Sequence, residues 1–379
     1  MYNVLFSCGL AFIITFFSIP IIIQVARQKK MFDEPDERKI HKMVIPTLGG
    51  LGIFAGFILA SLLGVPEGSQ FLQYFAAAFI VIFFLGIKDD ILVLSAAKKF
   101  LGQLIAAGII IKFGGVHISN MHGFMGIGEI PRLASIVFTM FTIVVITNSF
   151  NLIDGVDGLA GSLGLMTSLL FGSYFLYVGQ LMYAVMAFSL AGSLIGFLIY
   201  NYSPAKIFMG DTGSLLIGLT NSILVVKFIN IAGLSSSVLH LESAPAIGFA
   251  ILFVPLFDTL RVFSLRILDR RSPFSPDRSH VHHFMLDMGF SHRKIAVCCV
   301  AANLAFILLA FGFRSLGTTA IIGLMFFIGI LIVSALYYMR SQAGKTETEA
   351  TFSEGLEEKG YTSRKVFNIG STKVAKAEI

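Results

Sequence analysis

Long apolar runs alternate with short polar stretches along almost the whole chain. Many of these runs approach or exceed the roughly 20 residues that a helix needs to cross a bilayer. We count about eleven, centred near Ile13, Phe57, Phe79, Ala106, Thr142, Leu169, Leu190, Ile223, Phe253, Leu304 and Phe327. The pattern therefore predicts an all-α fold, a polytopic integral membrane protein with about eleven transmembrane helices.

The composition supports this fold class. Of the 379 residues, 56% are hydrophobic and 13% are charged, and the mean hydropathy of +0.84 lies far outside the range of soluble globular chains. The first apolar run has no basic segment before it and is followed by basic residues, so we expect a retained span and not a cleaved signal. Cys8, Cys298 and Cys299 fall in predicted spans and indicate no disulfide framework.

Lysine and arginine residues gather in alternate loops. The net charge is +6, but the basic residues follow the first, third, seventh and ninth spans, and intervening loops such as VPEGSQ and AGLSSSVLHLESA have none. A nucleic-acid-binding face would not show this alternation, so we expect no nucleic-acid partner. By the positive-inside rule the basic loops are cytoplasmic, which predicts an N-terminus outside and a C-terminus inside.

The apolar pattern stops near residue 340. Residues 1–340 are predicted to form one transmembrane domain. Residues 341–379 carry mixed charges without apolar periodicity and are predicted to be a disordered or loosely structured cytoplasmic tail without a catalytic role. The sequence has neither a Walker A run nor a dinucleotide-binding glycine pattern, which argues against an ATP-driven pump.

One polar stretch, NSFNLIDGVDGLAG, separates two apolar runs between residues 148 and 161. Its polar residues recur at every third position and can lean toward one side of a helical turn: Asn148, Asn151, Asp154 and Asp157. An Asp at the centre of a span costs roughly 2.5 to 3.5 kcal/mol, so we expect this cluster at a membrane face, around water or an ion. A hydrophilic loop with helix caps is the alternative, but a cap requires one such residue and not four.

Further carboxylates and a lysine are predicted on the same side of the membrane. Asp89 and Asp90 end the third span, where adjacent carboxylates suit a divalent cation or a phosphate-handling base, although they could be mere helix-end charges. A short amphipathic segment could bring the Lys99 ammonium back over the same face. Asp211, bracketed by two glycines at the start of the eighth span, could hold a metal.

Other residues on this side could contact phosphates or a base. Lys42, in the first basic loop, could hold phosphate, although most charges in that loop need only the positive-inside explanation. Phe208 could stack on a base, although lipid contact is the default for any one of the 38 phenylalanines. In the ninth span, Asp258 and Arg261 lie one turn apart and could pair.

The longest charged loop contains Arg278, His280, His282 and His283. Its histidines raise the alternative of a zinc site, but their spacing is not a usual structural-zinc pattern and no cysteine assists. Imidazoles and a guanidinium beside acids are more typical of a phosphate clamp. Together the clusters supply ligands for a divalent cation, cations for phosphates and an aromatic ring for a base, which predicts phosphoryl transfer at a membrane surface.

Two other classes of protein could use some of these residues. A secondary transporter also places acids in the membrane, but its site lies near the bilayer midplane between paired repeats, whereas these acids are predicted at span ends. A catalytically inactive scaffold would lack acids from its motifs, and none is missing here.

Taken in order, the motifs resemble those of the polyprenyl-phosphate N-acetylhexosamine-1-phosphate transferases, the glycosyltransferase 4 family. They read DEPDERKIHKMVIPTLGG, KDD, KKFLGQ, NSFNLIDGVDGLAG, KIFMGDTGSLLIG and DRSHVHHFM, and the match runs from about residue 5 to about residue 340. Val281 interrupts the histidines of the last loop. That loop is more similar to the WecA/TagO branch, which transfers GlcNAc-1-phosphate, than to the branch that transfers phospho-MurNAc-pentapeptide.

The resemblance implies a Mg²⁺-dependent reaction, with Mn²⁺ as a substitute ion. Undecaprenyl phosphate attacks the β-phosphorus of UDP-GlcNAc, which releases UMP and leaves undecaprenyl-diphospho-GlcNAc, the first membrane step of a cell-envelope glycan. The same chemistry on another UDP-N-acetylhexosamine or on UDP-MurNAc-pentapeptide is the alternative. The enzyme would lie in the bacterial cytoplasmic membrane with its active site on the cytoplasmic face, and a homodimer is compatible with the resemblance.

The resemblance also implies roles for single residues. Asp89 would orient or deprotonate the lipid phosphate with support from Asp90, and Asp211 would bind the metal with Asn151. The other implied roles are those of Asp154 and Asp157, which shape the metal and nucleotide site; Phe208, which stacks on uracil; Lys99, which lies near the phosphates; and Arg278, His280, His282 and His283, in the loop that closes over the diphosphate and sugar.

Overall fold

The computed structural model describes residues 1–29, 45–66, 71–271 and 279–357, with side chains to residue 342. Within these ranges the chain forms thirteen α-helices, a short β-hairpin and one 3₁₀ turn (Arg314–Leu316). The elements are α1 (Tyr2–Lys29), α2 (Gly49–Gly64), α3 (Leu72–Leu92), α4 (Ala96–Lys112), β1 (Asn120–Phe124), β2 (Ile127–Glu129), α5 (Arg132–Ile153), α6 (Leu159–Tyr177), α7 (Leu181–Asn201), α8 (Gly210–Ala232), α9 (Ala244–Ile251), α10 (Phe253–Leu268), α11 (Val281–Asp287), α12 (His292–Gly312) and α13 (Thr318–Glu357).

The helices agree with a polytopic membrane protein. Each of the eleven predicted span centres falls within a helix. By length and hydropathy, however, 7 helices of the described ranges could each cross a bilayer, or up to 8 if the bent pair α9 and α10 is one span. The number is lower than eleven partly because some helices are short for a bilayer: α2 has 16 residues and α4 has 17. The count of eleven and the orientation of the termini stay predictions.

A small β-hairpin adds to the all-α class that the sequence predicts. β1 and β2 pair antiparallel between α4 and α5, with Asn120 opposite Glu129. Met125 and Gly126 turn the chain with positive φ angles of 53° and 77°. The backbone N–H of Met125 donates to the Thr319 hydroxyl at 2.6 Å, so the hairpin rests on the start of α13.

The last helix passes the predicted boundary at residue 340. α13 continues to Glu357, so the first part of the predicted tail is helical in the structure. Residues 358–379, which the sequence also assigns to the tail, lie outside the described residues.

α8 lies at the centre of the helix assembly and is the most buried of the candidate spans. Neighbouring helices reach its first turn at backbone distance: a Cβ on Gly50 of α2 would lie 2.3 Å from the Gly213 nitrogen, and one on Gly86 of α3 would lie 2.5 Å from the Thr212 Cα. A side chain at either position would collide with the α8 backbone. α2 and α3 therefore fix the end of α8 that carries Asp211.

A sharp bend divides the ninth predicted span. The axes of α9 and α10 differ by 84° across a break at Leu252. Pro255 has no N–H to continue the helical bonding across this point. The side chain of Asn303 on α12 supplies the missing hydrogen bonds. Its amide donates to the carbonyls of Ala250 (3.2 Å) and Ile251 (3.0 Å), and its oxygen accepts from the Val254 N–H at 2.8 Å. One buried side chain thus satisfies the backbone groups that the bend exposes.

Replacing Asn303 with Leu is expected to lower the thermal unfolding midpoint of the detergent-solubilised protein. The change leaves buried backbone groups without partners, at about 1 to 3 kcal/mol for each group. Asn221→Leu is the matched control, since Asn221 is also fully buried but its amide donates only to the Ile217 carbonyl of its own helix. Equal losses in the two variants would contradict the role given to Asn303.

Candidate active site

Lys99 joins two carboxylates that lie far apart in the sequence. Its ammonium is 2.5 Å from Oδ2 of Asp89 and 2.8 Å from Oδ2 of Asp211. Asp89 lies in the last turn of α3, Lys99 in the first turn of α4 and Asp211 in the first turn of α8. The structure thus brings together three of the residues that the sequence singles out, all at helix ends.

The Asp89 carboxylate is held on both oxygens. α3 ends at Leu92, and Val93 turns the chain with a φ of +44°. This turn lets the Leu94 N–H donate to Oδ1 of Asp89 at 2.5 Å, while Oδ2 faces Lys99. The residue is only 8% exposed. Its carboxylate therefore has a fixed orientation before any substrate binds.

Asp90 bonds to the beginning of α8. It accepts from the N–H of Asp211 at 2.6 Å, and from the N–H and hydroxyl of Thr212 at 3.1 and 2.6 Å. Gly210 permits this contact: its φ is +71°, and a Cβ there would lie 2.7 Å from the Asp90 carboxylate. A carboxylate satisfies unpaired N–H groups at a helix N-terminus and complements the helix dipole. Asp90 therefore positions the helix that carries Asp211.

The stretch from Asn148 to Gly161 spans the end of α5 and the beginning of α6. Asn148 exchanges hydrogen bonds with Gln103 of α4, at 2.7 and 3.3 Å. Asn151 donates to the Ser214 hydroxyl at 3.0 Å and also hydrogen-bonds Asp211. Beyond Ile153 the helix stops, and Asp154 and Asp157 lie in the connecting turns. The four residues therefore do not follow one helical face, although all of them line the site.

Two of the cavities that adjoin this stretch have polar linings. The larger, of about 680 Å³, is lined by polar residues that include Lys99, Gln103, Asn148, Asn151, Asp154, Arg266, His280, His282 and His283. The smaller, of about 320 Å³, includes Thr47, Asn151, Asp154, Asp157, Asn201, Phe208, Asp211 and His292. Asn151 and Asp154 line both. They form the boundary between a cavity rich in cationic and imidazole groups and one that contains three carboxylates and the Phe208 ring.

Asp154 carries the clearest electrostatic signal outside the spans. Desolvation by the surrounding protein, together with the charges of Asp211, Asp90 and Asp157, raises the pKa of its carboxyl to about 8. A carboxyl with such a pKa is largely protonated at neutral pH unless positive charge compensates it. A cation bound nearby would therefore favour the ionised form of Asp154.

Asp157 and Phe208 lie at the smaller cavity. Oδ2 of Asp157 accepts from the Ala205 N–H at 3.3 Å and lies 3.2 Å from Nδ1 of His292. Backbone bonds fix Phe208, whose N–H donates to the Pro46 carbonyl at 2.8 Å. Its side chain is 37% exposed. An exposed ring beside acids is compatible with base stacking.

The three histidines cluster at the larger cavity. The ring centroids of His282 and His283 are 4.3 Å apart, and those of His280 and His282 are 5.6 Å apart. α11 comes close to the acidic turn, because a Cβ on Gly155 would lie 2.6 Å from Nε2 of His282. Burial lowers the pKa of His282 to about 4, so its ring is neutral at neutral pH. The predicted substrate contacts Lys42 and Arg278 lie outside the described residues.

Several residues that border the site were not singled out in the sequence, among them Arg266, Asn201 and His292. Arg266 is 2% exposed and lines the larger cavity, and its spacing of eight residues from Asp258 places both on one face of α10. Asn201 joins two loops, because it accepts from the Gly158 N–H at 2.8 Å and donates to the Ile207 carbonyl at 3.0 Å. His292 contacts Asp157. The spacing of Asp258 and Arg266 along the predicted ninth span could have indicated Arg266. A single polar residue such as Asn201 has no spacing pattern that would indicate it.

The residues of the site fit a magnesium ion shared with a substrate. In the described ranges, no three His, Cys, Asp or Glu side chains form a ready-made metal cage. Mg²⁺ usually binds one or two carboxylates together with waters and substrate phosphates, so it needs no such cage. Asp211 offers a carboxylate, and Asn151, whose amide N–H donates to that carboxylate, has a side-chain oxygen that it can also offer to an ion.

Comparison with known proteins identifies the family. Residues 72–229 match the glycosyl transferase family 4. A decaprenyl-phosphate N-acetylglucosaminephosphotransferase of Mycobacterium leprae is 34% identical over 312 residues, which cover 76% of this chain and 78% of the relative. An undecaprenyl-phosphate alpha-N-acetylglucosaminyl 1-phosphate transferase of Haemophilus influenzae is 30% identical over 345 residues, 87% of this chain and 92% of the relative. The chain belongs to glycosyl transferase family 4, which confirms the resemblance of its motifs.

Substitutions of Asp90 are expected to loosen the beginning of α8. Asn retains one acceptor oxygen and Ala retains none, so the thermal midpoint should fall in the order wild type, Asp90→Asn, Asp90→Ala, with a loss of about 0.5 to 2 kcal/mol for the alanine variant. Differential scanning fluorimetry of the purified protein measures this order. Asp269→Asn, at an exposed ion pair with Arg271, is the control. An alanine variant as stable as this control would contradict the capping role.

Proposed function

We propose that the protein transfers GlcNAc-1-phosphate from UDP-GlcNAc to undecaprenyl phosphate in a Mg²⁺-dependent reaction. The products are undecaprenyl-diphospho-GlcNAc and UMP, and the step begins the assembly of a cell-envelope glycan. The observation that carries the proposal is the Lys99 ammonium between Asp89 and Asp211, beside a cavity with amide and imidazole side chains. The names of the relatives from M. leprae and H. influenzae support the polyprenyl-phosphate acceptor and the N-acetylglucosamine group.

The two cavities suggest how the donor lies. Phe208 would stack on uracil in the smaller cavity, with Asp157 beside it. The diphosphate would lie across Asn151 and Asp154, and its oxygens would reach Lys99 and the histidines of the larger cavity. Asp211 and Asn151 would hold Mg²⁺. When bound, the ion supplies positive charge that neutralises the diphosphate.

The reaction we propose is a direct displacement. An oxygen of undecaprenyl phosphate forms a bond to the β-phosphorus, and the bond from that phosphorus to the bridging oxygen breaks, so UMP leaves with the electron pair. A phosphate monoester with a second pKa near 6 is largely dianionic at neutral pH and needs no strong base. Asp89, with both oxygens already bonded, suits an orienting group better than a nucleophile.

The membrane arrangement follows from the charge pattern. Basic residues in alternate loops support an outside N-terminus, a cytoplasmic C-terminus and an active site at the cytoplasmic face of the bacterial cytoplasmic membrane, and the apolar runs support about eleven spans. The acids of the site lie at the ends of α3, α5 and α8. A secondary transporter would place its site near the bilayer midplane, so helix-end acids favour the transferase. A homodimer is compatible with this arrangement.

The test is a transfer assay with purified protein, undecaprenyl phosphate and Mg²⁺. Radiolabelled UDP-GlcNAc, UDP-GalNAc and UDP-MurNAc-pentapeptide are supplied in parallel, and label in the lipid phase is measured together with UMP. We expect label from UDP-GlcNAc. Label only from another donor would overturn the choice of sugar, and no label from any donor in folded protein would overturn the transferase. Label retained on the protein after exposure to UDP-GlcNAc alone would contradict direct displacement.

Asp211→Asn is expected to abolish turnover at the Mg²⁺ concentration that saturates the wild type. The substitution removes the charge that would bind the ion and leaves the shape of the side chain. The initial rate of UMP release, measured across a Mg²⁺ titration, tests it. Asp269→Asn again serves as the control, because it removes an exposed carboxylate that lines neither of the two cavities. An unchanged rate in Asp211→Asn would remove Asp211 from the metal site.

A further inference from the structure

A buried carboxylate on α10 stands behind the histidine cluster. Asp258 is 3% exposed and is absent from the residues to which the family resemblance gives a role. Its Oδ2 lies 2.8 Å from Nδ1 of His280, and its Oδ1 accepts from Arg261 at 2.8 Å and from the Val281 N–H at 3.1 Å. Both oxygens are therefore engaged by the protein itself.

These bonds determine how the His280 ring is presented. A carboxylate that already accepts from a guanidinium and an N–H is an acceptor, so the ring nitrogen facing it must carry a hydrogen. In the neutral ring, Nδ1 is then the protonated nitrogen and Nε2 is left with its lone pair. Because His280 lines the larger cavity with Lys99 and Asp154, Nε2 is the ring nitrogen left for a ligand there.

Arg261 holds the same segment from a second side. It pairs with Asp258, donates to the Ser279 carbonyl and stands 5.5 Å from the ring centroid of Phe284. Side chains of α10 therefore contact the chain just before His280, at His280 itself and just after it. The position of the imidazole relative to the cavity is set by α10 and not by α11 alone.

We propose that Asp258 is a positioning residue, which holds His280 by Nδ1 so that Nε2 points to the phosphates of the bound sugar nucleotide. The proposal rests on the proposed function of the site. Asp258 acts through His280 and touches no substrate. Removal of a group that orients a metal-binding histidine typically costs 10- to 100-fold in metal affinity or activity. By analogy, we expect a loss of about that size in kcat when the Asp258 carboxylate is removed.

The kinetic test compares Asp258→Asn, His280→Ala and the double variant with the wild-type full chain. kcat and KM are measured for the donor that labels the lipid in the transfer assay. We expect Asp258→Asn to lower kcat by about 10- to 100-fold with a smaller change in KM. The double variant should be no slower than His280→Ala, because the carboxylate has nothing left to orient. Independent, multiplicative losses, or an unchanged kcat in Asp258→Asn, would overturn the proposal.

The matched control is Asp287→Asn. Asp287 ends α11 and pairs with Arg340 at 2.6 Å, so it also anchors this helix through an ion pair but does not contact His280. We expect it to retain the wild-type kcat. A loss in Asp287→Asn as large as in Asp258→Asn would show that any loosening of α11 is sufficient, which would also overturn the specific role of Asp258.

A second measurement does not depend on the folding of any Asp258 variant. Nitrogen NMR of ¹⁵N-histidine-labelled wild type, with His280 assigned by comparison with His280→Ala, reports which ring nitrogen carries the hydrogen. We expect Nδ1 to be protonated, and a ring protonated only on Nε2 would overturn the proposal. This result stands even if the wild type transfers no sugar phosphate, an outcome that defeats the proposed function. An active wild type with an unaffected Asp258→Asn defeats only the positioning role.

Discussion

The site depends on one ammonium group shared by two carboxylates. Asp89 and Asp211 lie on different helices, and without Lys99 between them their like charges would repel each other in a largely buried environment. The shared contact can form only if the end of α3, the beginning of α4 and the beginning of α8 meet at one place. Much of the surrounding structure brings about that meeting, and the same charges support the proposal that the site binds phosphates and a cation.

The helix ends can converge because glycines stand where the helices touch, as well as because of the polar side chains that bond there. Gly50 and Gly86 let α2 and α3 touch the backbone of α8, where any Cβ would collide. Gly210 lets the chain turn beside Asp90, whose carboxylate then caps the helix. Neighbouring acids in the KDD motif therefore divide the tasks: Asp89 takes part in the ion pair, and Asp90 fixes the helix that supplies its partner. Polar side chains at helix ends are costly in a bilayer unless they are satisfied in this way.

The side of the site that carries the histidines depends on the bend between α9 and α10. The bend between α9 and α10 directs Asp258 and Arg266 toward the histidine segment, and Asn303 supplies the hydrogen bonds that make the bend tolerable. Asp258 then hydrogen-bonds His280, and the absence of a side chain at Gly155 lets His282 approach the turn that carries Asp154 and Asp157. The two sides of the site carry different chemistry, with carboxylates on one and imidazoles on the other. They meet at Asn151 and Asp154, which line both cavities.

The sequence by itself determined the class of protein, and it predicted most of the helices and many of the residues that the structure brings together around the two cavities. Apolar runs must become helices in a bilayer, because only a helix satisfies its backbone groups internally there, and polar residues at the ends of such runs mark the site. Only the tertiary structure decided which groups meet. A sequence period tells which face of its own helix a residue occupies, but not which neighbour covers that face. For this reason the cap formed by Asp90, the pairing of Asp258 with His280 and the bridge through Asn201 could not be derived from the sequence. The bend at Leu252 could not be predicted for a related reason. The apolar run continues through the bend, and the side chain that stabilises it, Asn303, lies on another helix.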